Sequence, residues 1–476
     1  MKKVISYISI LLIIGSHFFC IGSFDQASSA VLGTFIGVIL LWIAVDIGWP
    51  SLLCIFSLGL ISDIGMDQAF KTSFGNTTFS FLLFTFVCTY AIAQTSLVKK
   101  IALLFVTSRF ARRGPWHMSL LLFLAILTVG LVISPTVLFF LFLPIVEEIF
   151  SILNLAKGTS FASMLMIGLV ICCNLSAGMT PIAHIFPVLA IGVYENFTGN
   201  LISYGEYMKF GIPIGLVLFV LLMVILRFVM RPEFQDFRAL SAEDFKSELQ
   251  VNLSRQEKMT IIVFSGVVLL WILPSLVENI FPEFSALVNS WGTAFPPLLG
   301  VILMTTIKSK NKPLINLNEA ITKGVSWPSL IMGSATLALG SAITAENINL
   351  LPDLMKMAEP VLDSLMYPII ILLLIILATI GSNITSHMVT AQVVTSFALP
   401  IALGSNGNIN AAAITIVIGM LSSLGSAAPP AMPFVAIAGT SGWTTTEELF
   451  KYGTIYAIGV ALVLYIVGYP LATHIV

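Results

Sequence analysis

Charge is what this sequence has least of. Only 9% of its 476 residues are Asp, Glu, Lys or Arg, against 58% hydrophobic, whereas a soluble domain carries about 25% charged residues to keep its surface wet. That shortage excludes a water-soluble globule of this size, so lipid must be the second solvent. Runs such as Ala30–Val45 are apolar on every side. A barrel strand would alternate over about ten residues, so helices are the expected spanning element. Cysteine is also scarce: Cys20, Cys54, Cys88, Cys172 and Cys173 all lie in apolar runs, lack metal-ligand spacing and read as small core hydrophobes. There is no Walker sequence, metal cluster or nucleophile–base pair, and the polar stretch 227–258 is too short for a nucleotide-binding domain. No catalysis, no organic cofactor and no nucleic-acid partner is expected.

The few charges are unevenly placed. Apolar segments are separated by basic clusters at Lys2/Lys3, Lys99 through Arg113, Arg227 through Lys258, and Lys308, Lys310 and Lys312. Cytoplasmic loops carry the excess of Lys and Arg, so all four clusters belong inside. The chain must then cross an even number of times between Arg113 and Arg227. The simplest solution makes 118–146 re-entrant, turning at Ser134-Pro135-Thr136; splitting 158–194 into two short crossings is the competing one. With the hairpin, only Lys71, Lys209 and Lys356 of 22 basic residues fall outside. The start, Met1-Lys2-Lys3 before an apolar run and Ala27-Ser28-Ser29-Ala30, imitates a signal peptide, but a retained first span fits this topology. The expected fold is an all-α polytopic protein of the cell (inner) membrane with about 11 crossings plus two re-entrant hairpins, its N-terminus cytoplasmic and its C-terminus outside.

The second half repeats the first at an offset of about 248. Ser134 pairs with Ser382, and Pro181 through Phe186 with Pro429 through Phe434, sharing Pro, Ala and Phe. Each half reads as span, amphipathic connector, hairpin, long broken span and final span, the first connector inside and the second outside. The expected divisions are a scaffold at 1–77, a first inverted repeat at 78–226 with its hairpin at 118–146, a basic linker at 227–258, linking helices at 259–325, and a second inverted repeat at 326–476 with its hairpin at 366–401. Matching Gly/Pro-interrupted segments in two inverted halves point to a transporter's midplane site.

Residues 364–446 hold no Asp, Glu, Lys or Arg, yet they contain Ser382-Asn383-Ile384-Thr385-Ser386-His387. Non-helical backbone at membrane depth is tolerated where it lines a cavity or is buried in protein. Hairpin tips supply helix N-termini, whose free N–H groups attract anions, so a carboxylate could be held without arginine. The candidate substrate-binding residues are Ser134, Thr136, Ser382, Asn383, Thr385, Pro429 and Pro430. His387 and His184 are candidates for charge compensation, since an ionisable residue within the membrane is a functional candidate by default. The alternative for each hydroxyl is a plain helix–helix hydrogen bond, worth ~0.6 kcal/mol on average.

These features resemble the divalent anion/sodium symporter family of di- and tricarboxylate carriers. Its members carry a Ser-Asn-Thr motif at each hairpin tip and Pro-Pro-Asn in each broken helix; here the tips read Ser134-Pro135-Thr136 and Ser382-Asn383-Ile384-Thr385, and the second break reads Pro429-Pro430-Ala431. Pro135 replaces an amide and Ile384 a hydroxyl, so Na⁺ stays open as a coupling ion. The segment Ser382–His387 is similar to the Ser-x-Thr-Ala-His element of the family's dicarboxylate exchangers. The resemblance implies a homodimer, an elevator mechanism, C4–C5 dicarboxylates such as succinate, malate and 2-oxoglutarate as substrates, and exchange of one for another. The alternatives are a Na⁺-coupled symporter, an inorganic-ion carrier of similar architecture, and a membrane enzyme or biogenesis factor.

Overall fold

The computed structural model describes residues 2–22, 24–182, 184–234, 253–277 and 280–476, and these are helical almost throughout. Most of the linker expected at 227–258 (235–252) and Ala183 lie outside the described residues. The opening helices are α1 (Lys2–Ser16), α2 (Gln26–Ala44), α3 (Trp49–Gly59) and α4 (Gly65–Ser73). Then come α5 (Thr77–Ala93), α6 (Leu97–Val106), α7 (Pro115–Gly130), α8 (Pro135–Ile152), α9 (Ser160–Met179), α10 (Ile185–Thr198) and α11 (Tyr204–Met230). After the linker follow α12 (Arg255–Val277), α13 (Pro282–Ser290) and α14 (Phe295–Thr306). The last part holds α15 (Trp327–Ile343), α16 (Leu350–Ser364), α17 (Tyr367–Ile384), α18 (His387–Gly404), α19 (Ala411–Leu421), α20 (Pro433–Thr440) and α21 (Thr446–Ile475).

The element order α5–α11 recurs in α15–α21: a helix, a connector, two hairpin legs, a helix broken in two, and a long final helix. Local chemistry recurs with it. The second leg of each hairpin carries an internal proline, Pro144 or Pro400. Each final helix starts with a capping box, Ser203 with Glu206 and Thr445 with Glu448, which satisfies two free N–H groups at once. At the centre lie α9 and α19, whose apolar residues are buried all round. The first half's α10 packs on α18 and α19 of the second, so the halves interlock.

Four boundaries differ from the sequence expectation. The first hairpin runs from Pro115 to Ile152 rather than 118–146, and the second from Tyr367 to Gly404. The segment 285–307 is two helices bent by 72°, not one span; Gly292, at φ +80°, supplies the left-handed turn that α13 needs to stop. The second tip is at Thr385–Ser386, because Ser382 and Asn383 still belong to the last turn of α17. A two-residue strand pair, Lys308–Ser309 with Lys312–Pro313, was not foreseen; Lys310 and Asn311 at φ +51° and +63° form its turn.

Among the described residues, eight helices are long and apolar enough to cross a membrane, or ten if two bent pairs count as spans. The expected figure of about 11 is reached only by adding shorter apolar helices. Three of the eight, α8, α17 and α18, are hairpin legs. Large apolar side chains such as Leu11, Phe18, Ile380 and Ile466 are exposed, which suits lipid and not water.

Candidate functional site

The legs of each hairpin meet at a tip that lies against the break of its own half. In the first half α7 ends at Gly130, and Pro135, which lacks an N–H, opens α8 at its first position. The carbonyls left over at the tip find partners on the break between α9 and α10: Thr180 Oγ1 donates to Leu131 (2.7 Å) and His184 Nε2 to Gly130 (2.7 Å). In the second half Asn383 Oδ1 accepts from the Ser426 and Ala427 N–H groups (3.1 and 3.0 Å), while its Nδ2 donates to the Thr379 carbonyl (2.9 Å). His387 Nε2 donates to Gly425 (2.9 Å), a carbonyl that also accepts from Asn174 Nδ2 (2.8 Å). A carbonyl only accepts, so both rings carry the proton on Nε2 and leave Nδ1 without a partner among the described residues.

Both breaks and both tips open on one cavity of about 700 Å³. Five helix N-termini line it: α8 through Ser134–Val137, α10 through His184–Phe186, α15 through Ser326, Pro328 and Ser329, α18 through Ser386 and Met388, and α20 through Pro430–Pro433. The far wall is the second half of α5, including Thr89, Tyr90 and Gln94. Ser134 and Ser386 are the N-cap residues of α8 and α18, in the extended conformation, and neither side chain caps its own helix. Their hydroxyls are therefore not engaged in the bond that an N-cap serine usually makes. Among the described residues, the lining holds one formally charged side chain, Lys323.

Of the residues singled out from sequence, Ser134, Thr136, His184 and Pro430 line this cavity, whereas Ser382, Asn383, Thr385, His387 and Pro429 do not. Ser382 is buried and donates to the Thr379 carbonyl; Thr385 Oγ1 donates to Gly381. His387 is fully buried and meets Phe186 edge-to-face at 5.2 Å, one side chain away from the lining. Sequence reasoning missed Ser386 as the second tip serine because it aligned Ser382 with Ser134. It also missed Asn174 and the α5 wall. Asn174 was legible as the only amide inside the apolar run of α9; the α5 wall had no local signal.

Comparison with known proteins supplies the family and the fold. The citrate transporter family matches residues 37–406. An uncharacterized transporter of Methanocaldococcus jannaschii is 24% identical over 263 residues, 54% of this chain and 54% of its own length. A sodium-dependent dicarboxylate transporter of Staphylococcus saprophyticus is 26% identical over 213 residues, 44% of this chain and 39% of its own. The matches therefore span about half the length of these curated relatives, or less. Two solved structures share the fold at 12% identity: the Alcanivorax borkumensis YdaH transporter (TM-score 0.52, covering 99% of this chain and 97% of that one) and Neisseria gonorrhoeae MtrF, from a class of antimetabolite efflux pumps (TM-score 0.55, 98% and 94%). Both the relatives and the fold neighbours are transporters, not enzymes, and the chain belongs to the citrate transporter family, related to the divalent anion/sodium symporters.

Proposed function

We propose that this protein is a secondary carrier of small organic dianions, with C4–C5 dicarboxylates as its main substrates. The observation that carries this reading is the cavity lined by five helix N-termini. Each end is equivalent to roughly +0.5 elementary charge, so five together come to about the charge of a dianion with the sign reversed. Unpaired backbone N–H groups and the Ser134 and Ser386 hydroxyls supply donors, and no arginine is needed. Thr136, His184 and Pro430 complete the wall beside them. Asn383 and His387 hold the second tip against its break and act as positioning residues.

Transport follows from how the wall is divided. One side consists of hairpin tips and breaks that bond mainly to each other; the other is α5 and the start of α15. In the elevator reading, the tips and breaks carry the substrate as one body past the α5 side. The two halves are then inverted repeats in the membrane, in a homodimer with the N-terminus inside and the C-terminus outside. The basic connectors favour a cavity mouth on the cytoplasmic face.

Exchange of one dicarboxylate for another is the favoured coupling. Asn383 Oδ1 is occupied by two N–H groups, which removes the amide oxygen as a ready ligand for Na⁺ at the second tip. The sodium-dependent relative favours symport as the second reading. Uptake of labelled succinate or 2-oxoglutarate into proteoliposomes decides between them. Exchange requires internal dicarboxylate and little external Na⁺; steep Na⁺-dependent uptake into unloaded vesicles establishes symport. No uptake of any di- or tricarboxylate under either condition overturns the proposed function.

A further inference from the structure

Lys323 stands apart in a cavity otherwise lined by neutral groups. It sits in the short helical connector of residues 317–324, which leads into α15. Its Nζ lies 2.9 Å from Glu319 Oε1, and the Tyr90 hydroxyl donates to that same oxygen at 3.3 Å. The hydrogen bond from Lys323 holds the Glu319 carboxyl below the usual carboxylate range, and Glu319 holds the Lys323 amine above its own. The connector itself is fixed. Gly324 lies so close to Tyr90 that a Cβ there would stand 2.6 Å from the Tyr90 Cβ, and Trp327 Nε1 donates to the Ile321 carbonyl at 3.2 Å. The ion pair, by contrast, is free to exchange, because its side chains are 65% and 46% exposed. An exposed pair contributes little to stability, so folding alone does not account for it.

We propose that Lys323 is a carboxylate-selecting residue at the cavity mouth, handed from Glu319 to an incoming substrate carboxylate. The proposal rests on the reading that the cavity carries organic dianions. When a substrate carboxylate takes the ammonium, Glu319 keeps the Tyr90 hydrogen bond and water. The exchange therefore strands no charge. Glu319 also sets the threshold: a ligand must compete with an internal carboxylate, which disfavours uncharged molecules and weak anions. Because the pair lies at one mouth only, it acts on substrate entering from that side.

Wild-type, Lys323→Gln, Lys323→Arg, Glu319→Gln and Tyr90→Phe proteins are compared in oriented proteoliposomes with succinate, 2-oxoglutarate and citrate. Each variant is first checked for a monodisperse elution profile and an unchanged melting temperature. The expected result is that Lys323→Gln raises KM from the mouth side about fivefold at low ionic strength, the modest effect of an exposed charge contact. KM from the opposite side stays unchanged, and Lys323→Arg restores the wild-type value. Glu319→Gln lowers the mouth-side KM, and Tyr90→Phe raises it less than Lys323→Gln. The salt dependence of the mouth-side KM flattens in Lys323→Gln. The proposal is overturned if folded Lys323→Gln keeps its KM on both sides, or raises it equally on both. Those outcomes leave carboxylate transport standing; a wild type that moves none of the three substrates defeats the transport reading instead.

Discussion

The two halves fasten hairpin to break with the same parts used in opposite directions. In the first, the side chains belong to the break and the carbonyls to the hairpin: Thr180 and His184 reach back to Leu131 and Gly130. In the second, the hairpin supplies the side chains, with Asn383 and His387 reaching into Gly425–Ala427. Duplicated architecture therefore does not require duplicated residues. It requires that each set of backbone groups freed by a turn inside the membrane finds a partner. The reversal has a consequence for the cavity. The first tip, whose backbone is held from below, presents Ser134 through Val137 to the ligand space. The second tip spends Asn383 and His387 on fastening and presents only Ser386 and Met388.

The largest effect is expected where the second fastening is tightest. A Cβ at Gly425 would overlap the Ser382 carbonyl oxygen and crowd His387 Nε2, so Gly425→Ala forces backbone apart in a core that cannot expand. Loss of folded protein, or of all uptake in whatever folds, is the expected outcome. Normal expression and transport would show that the second break is not held as described. Asn383→Ala comes next. It removes one acceptor from two N–H groups at once, at about 1–3 kcal/mol for each group left buried and unbonded. Thermal denaturation in detergent should show a clear loss of stability, with uptake reduced by roughly tenfold or more. Thr180→Val frees a single carbonyl in the first half and should cost less. Equal losses in the two variants would break the asymmetry between halves.

Much of the fold could be read from the sequence because its signals are physical necessities. The scarcity of charge required lipid, and prolines with polar residues in apolar runs marked both hairpins and both breaks. What could not be read was register. Aligning Ser134 with Ser382 at 248 put the second tip one helical turn too early; the N-cap serines are Ser134 and Ser386, 252 apart. At Pro135 the missing N–H announces the helix start, but His387 begins α18 without such a mark. The α5 wall was equally hidden, since Thr89, Tyr90 and Gln94 become site residues only through a contact far along the chain. Lys323 looked like any loop lysine for the same reason.

The smallest expected effects are the most informative about the ligand, and they come from the two tip serines. An N-cap Ser→Ala substitution ordinarily costs ~1 kcal/mol because a capping bond is lost. Ser134 and Ser386 make no such bond, so Ser134→Ala and Ser386→Ala should leave the melting temperature nearly unchanged. Ser203 and Thr445 provide the contrast: each caps its helix within a capping box, so their Ala variants should melt earlier with KM unmoved. If the tip hydroxyls instead donate to substrate, each Ala variant should raise KM about fivefold, which corresponds to the ~1 kcal/mol of one hydrogen bond. The double variant then separates two geometries. Hydroxyls on different carboxylates act independently and their free energies add, giving about 25-fold, whereas hydroxyls sharing one carboxylate give a sub-additive increase. An effect confined to Ser134→Ala would mean that only the first tip touches substrate and that the second serves to hold the cavity open. No change in KM for either variant, with both proteins folded, would remove the tips from the binding site.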